Sequence, residues 1–177
     1  MDIAIIGVSL RLPNNIHNLG DLYDRLKNKT DCITEHPIDR FNPDAYYDKW
    51  NSVGKMSTKR SGYLSDVYHF DNAFFKISNK EAKTTDPQQR IMLELVYQAI
   101  QDSHLNLDSL KGSNTGVFIG SCNTEYFSNQ SENPEYCNDY SLPGGLLTLV
   151  SNRISYFYDL KGPSMTLDTA CSSSGHA

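Results

Sequence analysis

The chain has 177 residues and a net charge of −5, and it is 38% hydrophobic and 21% charged. That length supports one domain with a sizeable core, and the composition is that of a globular protein. The acidic balance argues against a general nucleic-acid binder, because neutralising phosphates takes a surplus of Lys and Arg.

The four cysteines, Cys32, Cys122, Cys137 and Cys171, show no C-x-x-C spacing. Their spacing therefore suggests neither a zinc ribbon nor a redox pair, and no metal is expected. Four are too few to scaffold a chain of this length with disulfides. No run approaches the ~20 apolar residues of a membrane span. The start lacks the basic and long apolar regions of a signal peptide. A cytoplasmic protein that meets neither nucleic acid nor membrane is the expectation.

In chain order, Ile3 to Val8 is a short apolar run that predicts a buried strand. Leu19, Leu22, Tyr23 and Leu26 recur at helical spacing behind Asn18, a suitable N-cap. Residues 29–62 show little periodicity and contain Pro37, Pro43 and Gly54, which predicts a long surface excursion. Ser78-Asn79-Lys80-Glu81 fits a capping box. Asp86-Pro87-Gln88-Gln89 is a second start signal, with Asp86 capping, Pro87 at the first helical position and Gln89 able to reach back. Ile91, Met92, Leu95, Val96, Ala99 and Ile100 then form one apolar stripe.

Thr115 to Gly120 predicts a second buried strand. Leu146, Leu147, Val150, Ile154 and Phe157 predict a helix that ends near Gly162-Pro163. Ser164 to Asp168 predicts the last strand. Helices alternating with buried strands define an α/β layered fold.

The chemistry concentrates at the end of that strand, in Asp168-Thr169-Ala170-Cys171-Ser172-Ser173-Ser174. A strand runs into small residues, and a cysteine sits at the turn. Such an elbow can project a nucleophile from the end of a sheet. A following helix would place its positive N-terminus at the thiolate. Small neighbours admit a thioester, whose attack by the thiolate gives an acyl-enzyme. A buried, inert cysteine satisfies the same spacing.

This segment resembles the active-site signature of β-ketoacyl synthases from modular polyketide and multifunctional fatty acid synthases. The resemblance extends in order through Ile3-Ala4-Ile5-Ile6-Gly7, Arg11-Leu12-Pro13, Phe70-Asp71 with Phe74-Phe75, Glu81-Ala82 and Asp86-Pro87-Gln88-Gln89-Arg90. It continues through Thr115 to Gly120, Asn152-Arg153-Ile154-Ser155-Tyr156 and Gly162-Pro163-Ser164. It covers residues 1 to about 174. It implies a thiolase-like layered αβαβα fold, here incomplete, with residues 1–177 forming most of an N-terminal half.

It also implies that Cys171 is the catalytic acyl acceptor. The acyl group would come from the phosphopantetheine arm of an acyl carrier protein and condense with a malonyl-type extender. No directly bound cofactor is implied, and the family is homodimeric. By the residues alone, Asp86 to Arg90 is a helix start, with Arg90 free to pair with a carboxylate. Asn152-Arg153 is read as a structural pair, near the family's dimer surface. The single glycine of Gly7-Val8-Ser9-Leu10-Arg11-Leu12 falls short of a dinucleotide fingerprint.

The family stabilises the extender's developing charge with two histidines and a supporting lysine, in motifs beyond its cysteine. This sequence has only His17, His36, His69, His104 and His176. The first four fall in no such motif and suit surface or capping roles. His176 is close to Cys171 in sequence but follows Gly175 at a terminus, where a Cys–His pair would fray. The expectation is therefore a chain that by itself is inactive and poorly soluble or partly unfolded. A non-catalytic truncated remnant, a carrier-protein or dimer interaction module and, more weakly, a cysteine hydrolase are the rival readings.

Overall fold

A computed structural model describes residues 2–50 and 52–177. The chain divides into two compact units. One runs from Ser9 to Val67; the other joins the segment ending at Val8 to Tyr68–Ala177.

In the Ser9–Val67 unit, α1 (Leu19–Lys27) starts where Asn18 accepts the Asp21 N–H at 2.9 Å. Its apolar side stays largely in solvent, with Leu19, Tyr23 and Leu26 exposed. The expected surface excursion is closed by β1 (Thr34–Glu35) and β2 (Arg60–Ser61), paired antiparallel. Arg60 ties this ribbon to Asp31 at 2.7 Å. Between the strands, α2 (Pro43–Tyr46) is capped by Asn42. His36 packs edge-on against Phe41 and Tyr63 at 3.6 and 4.6 Å between ring centroids. This histidine therefore has a packing role.

The second unit is built on one helix laid against a two-stranded parallel sheet and a second helix packed on the first. α3 (Asn79–Thr84) begins at Ser78, whose hydroxyl accepts the Glu81 N–H at 3.1 Å. The other half of the expected capping box is absent, because the Glu81 carboxylate is taken by Arg153. α4 (Pro87–Asp102) starts on Asp86, which accepts the Gln88 N–H at 2.7 Å. Its most buried apolar residue is Leu93, with no exposure at all, although the expected stripe bypasses it. The inward face runs Gln89, Leu93, Val96, Ile100, a polar residue starting an apolar row at helical spacing.

α5 (Leu107–Leu110) leads to β3 (Val117–Gly120). α6 (Glu125–Ser131) and α7 (Ser141–Gly145), which no apolar periodicity announces, precede α8 (Thr148–Tyr158). α8 ends on Asp159 in the left-handed conformation, φ 53°, short of the expected Gly162. β4 (Ser164–Leu167) pairs parallel with β3, Val117 to Ser164 through Gly120 to Leu167. The core gathers Phe75, Ile77, Leu93, Val117, Ile154 and Tyr158. Rings extend it: Phe70 stacks on Phe75 at 5.1 Å, and Phe157 meets Phe75 at 4.9 Å.

The predicted strand at Ile3 to Val8 does not form. Ile3, Ile5 and Ile6 are 93%, 85% and 62% exposed. A strand exists only by pairing, and here the segment is held from a helix: Val8 N–H donates to Asp102 at 2.8 Å. Gly7 lies so close to α4 that a Cβ would meet the Ala99 carbonyl at 2.2 Å. The strand predicted at Thr115 to Gly120 is shorter, Val117–Gly120, and less buried than expected, with Val117 inside and Phe118 45% exposed. Among the described residues, no helix is long and apolar enough to cross a membrane.

Candidate active site

β4 delivers the chain to Asp168, where regular pairing stops. The Asp168 carboxylate accepts the Ala170 N–H at 3.0 Å and turns the backbone. Ala170 takes a left-handed conformation, φ 54°, uncommon for a residue with a side chain. A single 3₁₀ turn, Ala170–Ser172, then carries Cys171, and one helical turn, α9 (Ser173–His176), follows. The thiol is exposed at a strand-to-helix junction. The inert-core reading of this cysteine does not fit that placement.

The serines after the cysteine build the turn. Ser172 Oγ donates to the Thr169 carbonyl at 2.9 Å, and Ser173 Oγ donates to the Ala170 carbonyl at 2.6 Å. Ser173 Oγ also accepts the Thr169 N–H at 2.9 Å. Ser173 is buried against β3, where a Cβ on Gly120 would meet Ser174 N at 2.4 Å. Only glycine permits that approach.

The loop after β3 borders this turn. Ser121 N–H donates to the Leu167 carbonyl at 3.1 Å, continuing the sheet by one rung. Gln88, from the helix-start motif, fixes the loop: its Oε1 accepts from Ser121 Oγ at 2.7 Å, and its Nε2 donates to the Asn123 carbonyl at 3.0 Å and to Asp86 at 3.1 Å. Thus Gln88, not Gln89, reaches back to the capping carboxylate. Behind the site, Thr166 Oγ1 donates to Ser151 Oγ at 3.0 Å and pins β4 to α8.

Gln89 and Arg153 form the hub beneath. Gln89 Nε2 donates to the carbonyls of Pro143, Gly144 and Leu146 at 3.1, 3.0 and 3.3 Å. Its Oε1 accepts from Arg153 Nε at 2.8 Å, while Arg153 Nη1 pairs with Glu81 at 2.6 Å. Arg90 is buried and donates to the Tyr68 carbonyl at 3.1 Å, rather than to the expected carboxylate. Arg90 and Arg153 thus make their bonds within the fold.

His69 and His104 are exposed, and His104 ends α4 with φ 58°. His176 makes no hydrogen bond with Cys171. Among the described residues no set of three His, Cys, Asp or Glu side chains could hold a metal ion.

The fold and the turn define an α/β protein that presents a thiol from the carboxyl end of a parallel sheet. Residues 1–177 match the family described as "Beta-ketoacyl synthase, N-terminal domain". The chain belongs to that family, and its fold is the N-terminal part of the thiolase-like ketosynthase domain.

Polyketide synthase 37 of Dictyostelium discoideum is 43% identical over 173 residues, 97% of this chain and 6% of that protein. Fusarin C synthetase of Gibberella moniliformis is 44% identical over 174 residues, 97% of this chain and 4% of that protein. Among solved structures, the oxazolomycin ketosynthase domain OzmH KS7 of Streptomyces albus JA3453 superposes with a TM-score of 0.89 at 37% identity, over 98% of this chain and 30% of its own. The ketosynthase from module 6 of the bacillaene synthase of Bacillus subtilis 168 gives 0.78 at 34%, over 97% and 27%. The chain thus spans a few per cent of these synthases and under a third of these ketosynthase chains.

Proposed function

We propose that this chain supplies the acyl-accepting part of a polyketide-type β-ketoacyl synthase, with Cys171 as the catalytic residue. One observation carries the reading: the cysteine of the family signature stands exposed on a 3₁₀ turn at the end of β4. The Cys171 thiolate attacks the carbonyl carbon of an acyl thioester on the phosphopantetheine arm of an acyl carrier protein. The carbon–sulfur bond to pantetheine breaks, its thiolate leaves and takes up a proton, and the acyl group rests on Sγ.

Condensation with a malonyl-type extender requires donors aimed at the charge that develops on the extender. His176, the histidine nearest Cys171 in sequence, makes no hydrogen bond with it. The matched ketosynthases extend well beyond the aligned third, and we assign those donors, and the homodimer contacts, to that remainder.

Incubation with an acyl-carrier thioester tests the reading. Tryptic peptide 162–177 should gain the acyl mass, and Cys171→Ala should abolish the gain. An unmodified Cys171 peptide, even with a complementing ketosynthase domain added, would overturn it.

A further inference from the structure

A cavity of about 490 Å³ is lined from residues 75–77 and from α3, α4 and α8. Phe75, Ile77 and Phe157 give it apolar walls, with the Phe75 and Phe157 rings 4.9 Å apart. It shares no residue with the Cys171 turn, with β4 or with the loop after β3. Small-molecule sites commonly take this form, about 300–1,000 Å³ with apolar walls and a few convergent polar groups.

Three donors border these walls. Arg153 donates through Nε to Gln89 and through Nη1 to Glu81. Among the described residues nothing accepts from its Nη2, which keeps contact with solvent although the side chain is only 11% exposed. Lys76 is exposed and forms no ion pair among the described residues. It holds a left-handed backbone, φ 56°, uncommon for a long side chain and of the kind that gathers at ligand clamps. Tyr156, 89% exposed, adds a hydroxyl. Lys76 and Arg153 against Glu81 leave the lining one positive charge in excess.

We infer that this cavity binds a hydrophobic carboxylate, with the head between Arg153 Nη2 and Lys76 and the body against Phe75, Ile77 and Phe157. Water could serve the donors but would leave the apolar walls wet; an anionic head on an apolar body satisfies both. A carboxylate matches the edge of a guanidinium. Its single charge balances the single excess positive charge, whereas a dianionic head would meet the Glu81 carboxylate in the same lining. The site is independent of Cys171 and of the function proposed for it.

Calorimetric titration of the full chain with octanoate tests the inference, with octanol and octylammonium keeping the body and changing the head. Octanoate should bind one molecule per chain more tightly than about 1 mM, and the other two about tenfold more weakly or not at all. Lys76→Gln, at an exposed position, should weaken octanoate about tenfold, the size of one charge-assisted hydrogen bond. Lys76→Arg, which restores the cation, should recover most of the affinity. Octanoate should move the amide resonances of residues 75–77 and 153–157 and leave those of residues 172–175 in place. Cys171→Ala should bind octanoate as the native chain does, so that loss of acyl loading and loss of this site are read separately. No octanoate binding, equal affinity for octanol or octylammonium, undiminished binding by Lys76→Gln, or resonance changes centred elsewhere would each overturn the inference.

Discussion

Gly120 lies directly beneath Ser174, so close that a methyl group at residue 120 would stand 2.4 Å from the Ser174 nitrogen. The last residue of one strand therefore sets the height of the turn that carries the thiol. Gly120→Ala must push the two apart. It should cost about 1–3 kcal/mol, as overpacking of a close contact does. Acyl transfer to Cys171 should slow by more than the lost stability explains, because the turn moves. Denaturant unfolding and loading rate, measured on one preparation, check this. An alanine variant that loads at the native rate would separate the turn from the strand beneath it.

Arg153 is the second point of leverage. Its side chain and that of Glu81 are only 11% and 22% exposed, and Gln89 Oε1 relies on the same guanidinium. Arg153→Ala should cost about 3–5 kcal/mol, since it strands a mostly buried carboxylate. Arg153→Lys cannot keep both contacts, because an ammonium lacks the planar fork, and it should fall between. Glu81→Gln combined with Arg153→Ala should cost less than the sum of the two, the sign of a coupled pair. Additive losses in chemical denaturation would refute the coupling.

The parts of the fold that are legible in sequence are those whose signal is local. Asn18, Ser78 and Asp86 announce their helices, because a cap acts on an N–H two or three residues away. The β4-to-Cys171 turn was legible because small residues cluster there. Ile3 to Val8 misled because strand formation depends on a pairing neighbour, which a hydrophobic run does not encode. Gln89 misled differently: a buried amide serving carbonyls more than fifty residues away leaves no trace in local periodicity. The role of Gln88 in holding residues 121–123 is likewise a long-range fact. α6 and α7 are rich in Ser, Asn and Gly, so propensity argues against them, and packing decides them instead, α7 on α3 and α8 and α6 on α7.

Ala170 carries backbone strain at the residue before the thiol. A non-glycine residue at φ 54° costs about 1–2 kcal/mol relative to the right-handed region. Ala170→Gly removes that cost and should stabilise the protein by up to about 1 kcal/mol, partly offset by a more flexible unfolded chain. If the strain serves to hold the thiol in place, the same variant should load acyl groups more slowly despite its greater stability. A variant both more stable and equally fast would show that the conformation is tolerated rather than used.

Asp86 gives a pH signature with a defined sign. It is 5% exposed, and burial raises its carboxyl above the ordinary value of 3.8, against the opposing hydrogen bonds from Gln88. The folded state therefore holds this proton more tightly than the unfolded state does. Its contribution is most favourable below 3.8 and is lost as pH rises through the raised folded value. Asp86→Asn keeps an oxygen for the Gln88 N–H and cannot ionise. Gln88 Nε2 loses one acceptor but keeps the Asn123 carbonyl. The stability of Asp86→Asn relative to the native protein should thus improve from pH 3.8 upward and level off by neutrality. Asp86→Ala, which removes the cap, should forfeit about 1 kcal/mol relative to Asp86→Asn. Urea midpoints for the three proteins at several pH values measure both effects. A native-minus-Asn difference that stays flat across this range would mean that the carboxyl pays no desolvation penalty at the start of α4.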